Sequence, residues 1–418
     1  MIDYLTNKLK RAWTYLRVLL KWAVLASLLG VICGLVGSAF DLCVAWATQL
    51  RQEAGRLIFL LPAGGVFIAA LYRWAGFEKD PGTNLVIASI RTNAPIPSSM
   101  APLMFVSTTI THLFGGSAGR EGAALQIGGS IGAQVGRWLK LDDKDLRLIT
   151  MCGMSAVFAA IFGTPLTATL FAMEVISVGV LYYTAIIPCI LSALVGFGLS
   201  LKLGVIPVRF DLPPAPALSV LPAIQVAMLA ALCALVSILF CVAMHRSSAL
   251  YQKYLPNPYL KAAAGGGAVI LLTLLCGADY NGAGMDIIAA AVDGSARPEA
   301  FLLKIIFTAL TLGAGFKGGE IIPTLFIGST FGCVAGGLLG LDPAFGACVG
   351  MVALFCGVVN CPIASLILSV ELFGAEGMVF FGLACGVSYM LSGYYSLYSS
   401  QKIVYSKLSP VYVDRETH

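Results

Sequence analysis

The chain has 418 residues, of which 58% are hydrophobic and 11% are charged, and its formal net charge at pH 7 is +5. Soluble globular domains carry about 25% charged residues, so this composition excludes a soluble domain and indicates an integral membrane protein. The basic residues form no patch interleaved with aromatic side chains, and we therefore expect no nucleic-acid partner.

The first predicted element is an amphipathic helix over residues 1–20, lying at the cytoplasmic surface of the membrane. This segment is too polar for a cleaved signal peptide, and it lacks a small-residue cleavage site. By the positive-inside rule we expect both termini in the cytoplasm and the protein in the inner membrane of a bacterial cell. The basic residues that support this orientation flank the first and last apolar spans: Lys8, Lys10, Arg11, Arg17, Lys21, Lys402 and Lys407.

Apolar segments near the length of about 20 residues that a transmembrane helix needs recur along the chain. They run over 22–47, 57–74, 183–201, 221–244 and 331–354, and further apolar pieces are interrupted by glycine or proline.

The chain also contains a weak internal repeat. GMSAVFAAIFGTPLTATLFAMEV, from Gly153, aligns with GMVALFCGVVNCPIASLILSVEL, from Gly350, at a constant offset of 197 residues. LQIGGSIG and LFIGSTFG form a second matching pair before these stretches. Repeats with interrupted apolar segments are typical of transporters whose site lies near the bilayer midplane. We predict a first transmembrane repeat over 21–206, a proline-rich linker over 207–220, a second repeat over 221–401 and a short cytoplasmic tail over 402–418.

The stretch GGSAGREGAALQIGGSIG, from Gly115, places two charges among small and apolar residues. The glycines are expected to end one helix, and a new helix is expected to begin near Glu121 inside the membrane. The first N–H groups of that helix, among them those of Gly122 and Ala123, lack partners and lie at the positive end of the helix dipole, so they form an anion site. A charged Glu121 would fill this site, and a protonated one would leave it. The alternative is a plain helix cap, but intramembrane carboxylates are usually functional. Arg120 either steers anions or pairs with a carboxylate.

The stretch GAGFKGGEIIPTLFIGSTFG repeats this organisation in the second half. Glu320 precedes a helix restart, and a proline suits the first turn that follows. The N–H groups of Ile321 and Ile322 would contribute to the same dehydrated anion site. Lys317 either attracts anions at the cytoplasmic mouth or extends its amine to the surface.

At these residues the sequence resembles the CLC family of chloride channels and anion/proton antiporters, over most of the chain. GSAGREG matches the family's gating-glutamate motif, GGEIIP stands where the family has its GxFxP anion-binding loop, and GTPLTATLFAMEV resembles its NAPLAG…FxxEE element. YYSLYSSQKI matches the stretch with the central anion-site tyrosine, which falls on Tyr398. The resemblance implies an all-α membrane protein with the CLC-type fold of two inverted repeats and broken intramembrane helices. It also implies a homodimer with a separate pore in each subunit.

Three departures from the common CLC pattern resemble the fluoride/proton antiporter branch of that family. KDPGTNLVI replaces the GSGIP loop, with Thr83 at the best match to its chloride-binding serine. Val175 stands where other CLC antiporters have an inner proton-transfer glutamate, and Glu320 appears beside the anion loop. Some members of the branch have methionine at the serine position and a GGEVTP loop, whereas this chain has Thr83 and Ile322.

Several residues admit a structural interpretation beside a functional one. The symmetry of Glu174 and Glu371 favours a structural role, such as bonding to loop N–H groups. Tyr398 contacts the anion or belongs to an interfacial tyrosine belt. His112 is interpreted as a buried, hydrogen-bonded histidine rather than a proton relay. The GVICGLVG stretch from Gly30 packs within the subunit or forms a dimerisation face.

The sequence therefore predicts a secondary active transporter that exchanges fluoride for protons and exports fluoride. A chloride/proton antiporter and a passive chloride channel of the same fold are the alternatives. An intramembrane enzyme is not expected, since there is no HExxH motif and no aspartate pair in facing apolar spans. A scaffold protein would leave two buried acids unexplained. We expect no cofactor, metal or disulfide, because most of the 12 cysteines lie in apolar spans and none forms a CxxC pair.

Overall fold

The computed structural model describes residues 2–77 and 82–417, so part of the KDPGTNLVI stretch, at 79–81, lies outside the described residues. The first half contains α1 (Ile2–Glu53), α2 (Leu61–Trp74), α3 (Thr83–Thr92), α4 (Met100–Leu113), α5 (Glu121–Trp138), α6 (Asp143–Phe162), α7 (Pro165–Glu174), β1 (Ser177–Val178) and α8 (Ile186–Lys202). The second half contains α9 (Val220–Tyr254), α10 (Pro258–Cys276), α11 (Met285–Val292), α12 (Ala300–Gly313), α13 (Ile321–Leu338), α14 (Pro343–Val359), α15 (Pro362–Phe373), α16 (Met378–Leu391), β2 (Lys402–Tyr405) and β3 (Tyr412–Glu416). Short 3₁₀ helices, Gly55–Leu60 and Tyr183–Ala185, precede α2 and α8.

Within the described part of the chain, seven helical segments are long and apolar enough to cross a membrane. The first of them belongs to α1, a continuous helix of 52 residues that spans about 78 Å at 1.5 Å per residue. The expected surface helix and the first apolar span are therefore one helix, and the boundary at residue 20 falls inside it.

The two halves of the chain follow the same order of helices. α4 and α12 begin at 100 and 300, α5 and α13 at 121 and 321, and α6 and α14 at 143 and 343, a constant offset of 200 residues. In both halves a short helix that starts with proline, α7 or α15, comes next. The repeat predicted from sequence thus corresponds to a repeat of helices.

One predicted span is wrong. Residues 331–354 form two helices, because α13 ends at Leu338 and α14 begins at Pro343. Gly340 makes the turn at a φ of 83°, and the Asp342 carboxylate accepts a hydrogen bond at 3.0 Å from the N–H of Phe345. This aspartate is an N-cap and the proline after it occupies the first helical position, a combination that starts a helix even inside an apolar stretch.

Glycines let α5 contact α6, and α13 contact α14, backbone to backbone. A Cβ added to Gly128 would lie 2.1 Å from the carbonyl oxygen of Gly153, and one added to Gly328 would lie 2.6 Å from that of Gly350. Both distances are too short for any side chain, so these helix pairs approach as closely as small residues allow.

The GVICGLVG stretch packs within the chain. A Cβ on Gly30 would lie 2.8 Å from the carbonyl oxygen of Ser192, and one on Gly34 would lie 3.0 Å from the Cα of Gly196. This face of α1 therefore contacts α8, which decides between the two interpretations in favour of packing inside the subunit.

Helices α7 and α15 each carry a glutamate whose carboxylate accepts hydrogen bonds from the start of the other helix. The two oxygens of Glu174 accept hydrogen bonds from N–H groups at the start of α15, the shorter at 2.8 Å from Ala364. Glu371 accepts reciprocal bonds from the start of α7, the shorter at 2.7 Å from Thr167. Each carboxylate satisfies N–H groups that a helix start leaves without partners. The structural interpretation of both glutamates is confirmed.

A small three-stranded sheet, which the sequence analysis did not predict, follows the second half. β2 pairs in parallel with β1 and antiparallel with β3, with Ile403 opposite Arg415. The tail of the chain is thereby attached to the connection that follows α7.

We expect Gly128→Ala to lower the thermal unfolding temperature of the detergent-purified protein. The added methyl group meets backbone rather than a movable side chain, and overpacking of this kind costs about 1–3 kcal/mol. Gly267→Ala is the matched control, because no atom lies within 4 Å of a Cβ added in the middle of α10; it should be neutral or gain about 0.5–1 kcal/mol. A Gly128→Ala protein as stable as the wild type would contradict the close-packing account.

We expect Glu371→Gln to destabilise the protein, because glutamine keeps one acceptor but turns an amide donor toward the N–H groups of α7. Loss of a hydrogen bond to a charged group costs about 1.5–3 kcal/mol. Glu376→Gln, in the exposed loop before α16, is the control and should unfold at the wild-type temperature. An unchanged unfolding temperature in Glu371→Gln, together with altered ion flux, would favour a transport role instead.

Candidate functional site

Two glycine-containing loops, 114–120 and 314–320, meet inside the protein. The N–H of Gly119 donates to the carbonyl oxygen of Gly319, and the N–H of Gly319 donates back, each at 2.7 Å. A Cβ on Gly319 would lie 2.4 Å from the backbone nitrogen of Gly122, so the approach requires glycine. This bridge sets the starts of α5 and α13 side by side.

The start of α5 carries Glu121, whose side chain is fully buried. Its Oε2 accepts a hydrogen bond at 3.0 Å from the N–H of Arg120, and its Oε1 has no hydrogen-bond partner within the described residues. The first intrahelical bond of α5 runs from the N–H of Ala124 to the carbonyl of Arg120, which leaves the N–H groups of Gly122 and Ala123 outside the helix ladder. The carboxylate therefore lies at a helix start that favours negative charge.

The start of α13 mirrors this arrangement. Glu320 precedes the helix, and the first intrahelical bond runs from Thr324 back to it, so the N–H groups of Ile321 and Ile322 lie outside the ladder. The Oε2 of Glu320 is buried and has no hydrogen-bond partner in the described chain. It lies 3.0 Å from the position of a Cβ on Gly122, beside the first turn of α5. Each acid is thus next to the other half's helix start.

Two threonines, each on the helix that precedes one loop, accept hydrogen bonds from the loop of the other half. Thr311 Oγ1 accepts a hydrogen bond at 3.1 Å from the N–H of Ser117, and Thr111 Oγ1 accepts one at 3.3 Å from the N–H of Lys317. The Lys317 amine lies over the ring of Tyr72, 4.4 Å from its centroid. This contact does not distinguish between the two roles predicted for Lys317, so its role in steering anions stays a prediction.

Arg120 pairs with a carboxylate that the sequence analysis overlooked. Its Nη1 lies 2.7 Å from Oδ1 of Asp41 on α1, and its Nε lies 3.7 Å from Oε1 of Glu121. Asp41 is 5% exposed. Asp41 is an isolated acid inside the apolar segment 22–47, and this alone indicates a partner, because intramembrane acids are seldom without one. The geometry supports the pairing interpretation of Arg120.

Thr83 lies at the start of α3, next to α5. Its Oγ1 accepts a hydrogen bond at 3.1 Å from Gln126, one turn beyond Glu121. The neighbouring Asn84 accepts a bond at 2.9 Å from the N–H of Ser400, which joins α3 to the loop that carries Tyr398. Gln126 was not among the predicted site residues, although a glutamine in an apolar intramembrane helix indicates a polar partner nearby.

Tyr398 is 1% exposed, which excludes a place in a lipid-facing tyrosine belt. Its hydroxyl has no hydrogen-bond partner within the described residues, and the carboxylates of Glu320 and Glu121 both lie within electrostatic range of it. The structure thus gathers Glu121, Glu320 and Tyr398 in one region, with Thr83 joined to it through α5 and the 398–401 turn.

Two basic side chains are buried near the 114–120 loop. His112 Nδ1 contacts the carbonyl oxygen of Thr108 at 2.9 Å, so its predicted role as a buried, hydrogen-bonded histidine is confirmed. Lys304, which the sequence analysis missed, is fully buried and donates at 2.7 Å to the carbonyl of Gly282. The N–H of Gly282 in turn donates to the carbonyl oxygen of Gly116 at 3.2 Å. Lys304, on α12, therefore supports the 114–120 loop through Gly282.

The loop sequence GGSAG also has the GxSxG spacing of serine hydrolases, so the expectation that the chain contains no such motif is wrong. In those enzymes the serine follows a strand, whereas Ser117 follows helix α4. Its hydroxyl pairs with that of Thr308 at 3.1 Å, and it makes no hydrogen bond to a histidine among the described residues. The spacing alone therefore does not indicate a nucleophile.

The protein contains helices that are broken within its apolar interior, with an acid where each helix restarts and with two matching loops. These features define a membrane protein of the two-repeat ion-transport class. The family model described as voltage gated chloride channel matches residues 64–393. The chain therefore belongs to the voltage-gated chloride channel (CLC) family, and it has the CLC fold of two inverted repeats.

Individual relatives refine this assignment. The chain is 34% identical over 395 residues to a chloride/fluoride channel protein of Pseudomonas syringae pv. tomato, covering 93% of this chain and 87% of the relative. It is 25% identical over 390 residues to the H(+)/Cl(-) exchange transporter ClcA of Vibrio cholerae, covering 83% and 81%. The crystal structure of a CLC-type fluoride/proton antiporter superposes with a TM-score of 0.88 at 32% identity, covering 92% of this chain and 98% of that one. A slow cyanobacterial Cl-/H+ antiporter, at 19% identity and a TM-score of 0.76, shares the fold.

Proposed function

We propose that this protein exchanges a small anion, fluoride, for protons and thereby exports fluoride from the cytoplasm. The observation that carries the proposal is the pair of acids at two adjoining helix starts inside the membrane protein, Glu121 with a fully buried side chain and Glu320 with a buried Oε2. The fluoride named in the description of the antiporter structure supports this anion, and the description of the Pseudomonas relative names both chloride and fluoride.

Glu121 is the gate and outer proton carrier in this proposal. As a carboxylate it lies at the start of α5, where the N–H groups of Gly122 and Ala123 favour negative charge. Protonation removes that attraction, so the side chain leaves and a free anion takes its place. One residue then couples anion movement to proton movement.

Glu320 is the second acid, and it replaces the inner proton-transfer glutamate whose position is taken by Val175. Fluoride is small and strongly hydrated, so the site must replace its water with closely spaced donors. The N–H groups of Ile321 and Ile322 and the hydroxyls of Thr83 and Tyr398 supply such donors.

The finer expectations about the molecule belong to the same proposal. The chain acts without cofactor, metal or covalent catalysis. It lies in a bacterial inner membrane with both termini in the cytoplasm, where basic residues flank the spans. Two copies form a homodimer in which each subunit has its own pore between its repeats, 21–206 and 221–401, joined by a linker over 207–220.

Liposomes that contain the purified protein and an outward fluoride gradient test the proposal. A fluoride electrode and a pH-sensitive dye should record fluoride efflux together with proton uptake. Glu121→Gln cannot carry a proton and should reduce coupled proton movement by about 100-fold, the scale of a lost acid/base group. Glu320→Gln should also uncouple the two fluxes, whereas Glu376→Gln, in an exposed loop, should behave as wild type.

The same assay separates the alternatives. Chloride flux that exceeds fluoride flux, with protons still coupled, identifies a chloride/proton antiporter. Anion flux without proton movement identifies a channel. If Glu121→Gln exchanges fluoride for protons at the wild-type stoichiometry, the gating role of Glu121 is wrong.

A further inference from the structure

The hairpin of β2 and β3, over residues 402–416, is attached to the transmembrane part of the chain. Its first strand pairs with Ser177 and Val178, directly after α7, and its Ile403 is fully buried. Lys402 and Asp414 form an ion pair at 2.6 Å across the hairpin, with both side chains more than a third exposed. The hairpin therefore has an anchored face and an exposed face.

On the anchored side, Thr417 contacts the backbone of the Tyr398 turn. Its Oγ1 donates to the carbonyl oxygen of Tyr398 at 2.8 Å, and its N–H donates to the carbonyl of Gln401 at 3.2 Å. Thr417 is 7% exposed, so these bonds form away from water. The carbonyl of Tyr398 also accepts from the N–H of Gln401 at 3.0 Å, and the turn is held closed from both sides.

A second contact runs from the hairpin loop to the N–H of Tyr398. The Lys407 amine donates to the side-chain oxygen of Asn360, whose amide donates to Gln401 Oε1 at 3.1 Å. Ser396 Oγ donates to the same Gln401 oxygen at 2.9 Å and accepts from the N–H of Tyr398 at 3.1 Å. A continuous hydrogen-bond chain therefore links the hairpin to the backbone nitrogen of Tyr398.

We propose that the 402–417 segment is a positioning clamp that aims the Tyr398 hydroxyl at the anion. The inference rests on the proposed function, because it assumes that Tyr398 contacts the transported anion. The carbonyl of Tyr398 accepts directly from the clamp, at Thr417, and its N–H is linked to the clamp through Ser396, while its hydroxyl is buried with no hydrogen-bond partner in the described structure. Thr417 acts through Tyr398 and does not itself touch the anion.

The first experiment separates positioning from general stability in liposome flux assays. Thr417→Val keeps the shape but removes the hydroxyl, and it should raise the KM for fluoride by roughly threefold to tenfold, the scale of one hydrogen bond, with little change in kcat. Thr417→Ser should restore the wild-type KM. Asp414→Asn, which removes the exposed ion pair and keeps a residue that tolerates a φ of 48°, is the matched control and should have the wild-type KM.

A double-mutant cycle with Tyr398→Phe decides whether Thr417 acts through the tyrosine hydroxyl. In the Tyr398→Phe background, Thr417→Val should cause no further rise in KM. An equal rise in both backgrounds, or an unchanged KM for Thr417→Val alone, overturns the clamp. If the wild-type protein transports chloride rather than fluoride, the proposed function fails while the same cycle, measured with chloride, still tests the clamp.

A measurement that needs no transport completes the test. With fluorotyrosine incorporated at position 398, the fluorine NMR signal should shift or broaden in Thr417→Val and stay unchanged in Thr417→Ser and Asp414→Asn. An unchanged signal in Thr417→Val would show that the tail does not set the position of Tyr398.

Discussion

The two hydrogen bonds between Gly119 and Gly319 impose a constraint that the rest of the site must satisfy. They bring the positive ends of two helix dipoles next to each other inside a membrane protein, where water cannot screen them. Such an arrangement is unfavourable unless negative charge is close. Glu121 and Glu320 lie at these two helix starts, and a small anion would satisfy the same requirement when a carboxylate leaves.

Around this bridge the protein is held by contacts that occur in pairs. Thr111 and Thr311 each bond to the loop of the other half, and glycines let α5 and α13 pack closely against the helix that follows them. These contacts involve backbone atoms or short side chains, which leave little room for movement. Glu121 and Glu320 differ from these contacts, because each has one carboxylate oxygen with no hydrogen-bond partner within the described residues. A rigid frame around two incompletely bonded acids suits a site where a carboxylate and an anion exchange places.

The sequence predicted the features that depend on local chemistry. Glycines followed by an acid located the starts of α5 and α13, and the repeat located Glu174 and Glu371 as a matched pair. It failed where an apolar segment conceals a turn, as at Gly340, because hydropathy averaged over a window does not detect one aspartate cap. It also missed Asp41 and Lys304, whose partners lie far along the chain, and the contact of Thr417 with Tyr398, which depends on how the tail folds back. Long-range partners of single polar residues cannot be read from local pattern.

The reciprocal hydrogen bonds between the carboxylates of α7 and α15 and the start of the other helix affect how the protein is assembled during synthesis. Glu174 is synthesised 190 residues before Ala364, the donor that satisfies it. At typical elongation rates of about 5–20 residues per second, the interval is roughly 10–40 s. During that time the first half holds an acid that has no native partner, so it cannot reach its final packing in the bilayer before the second half has been inserted. Assembly of the two halves is therefore expected to be a late and concerted step of biogenesis.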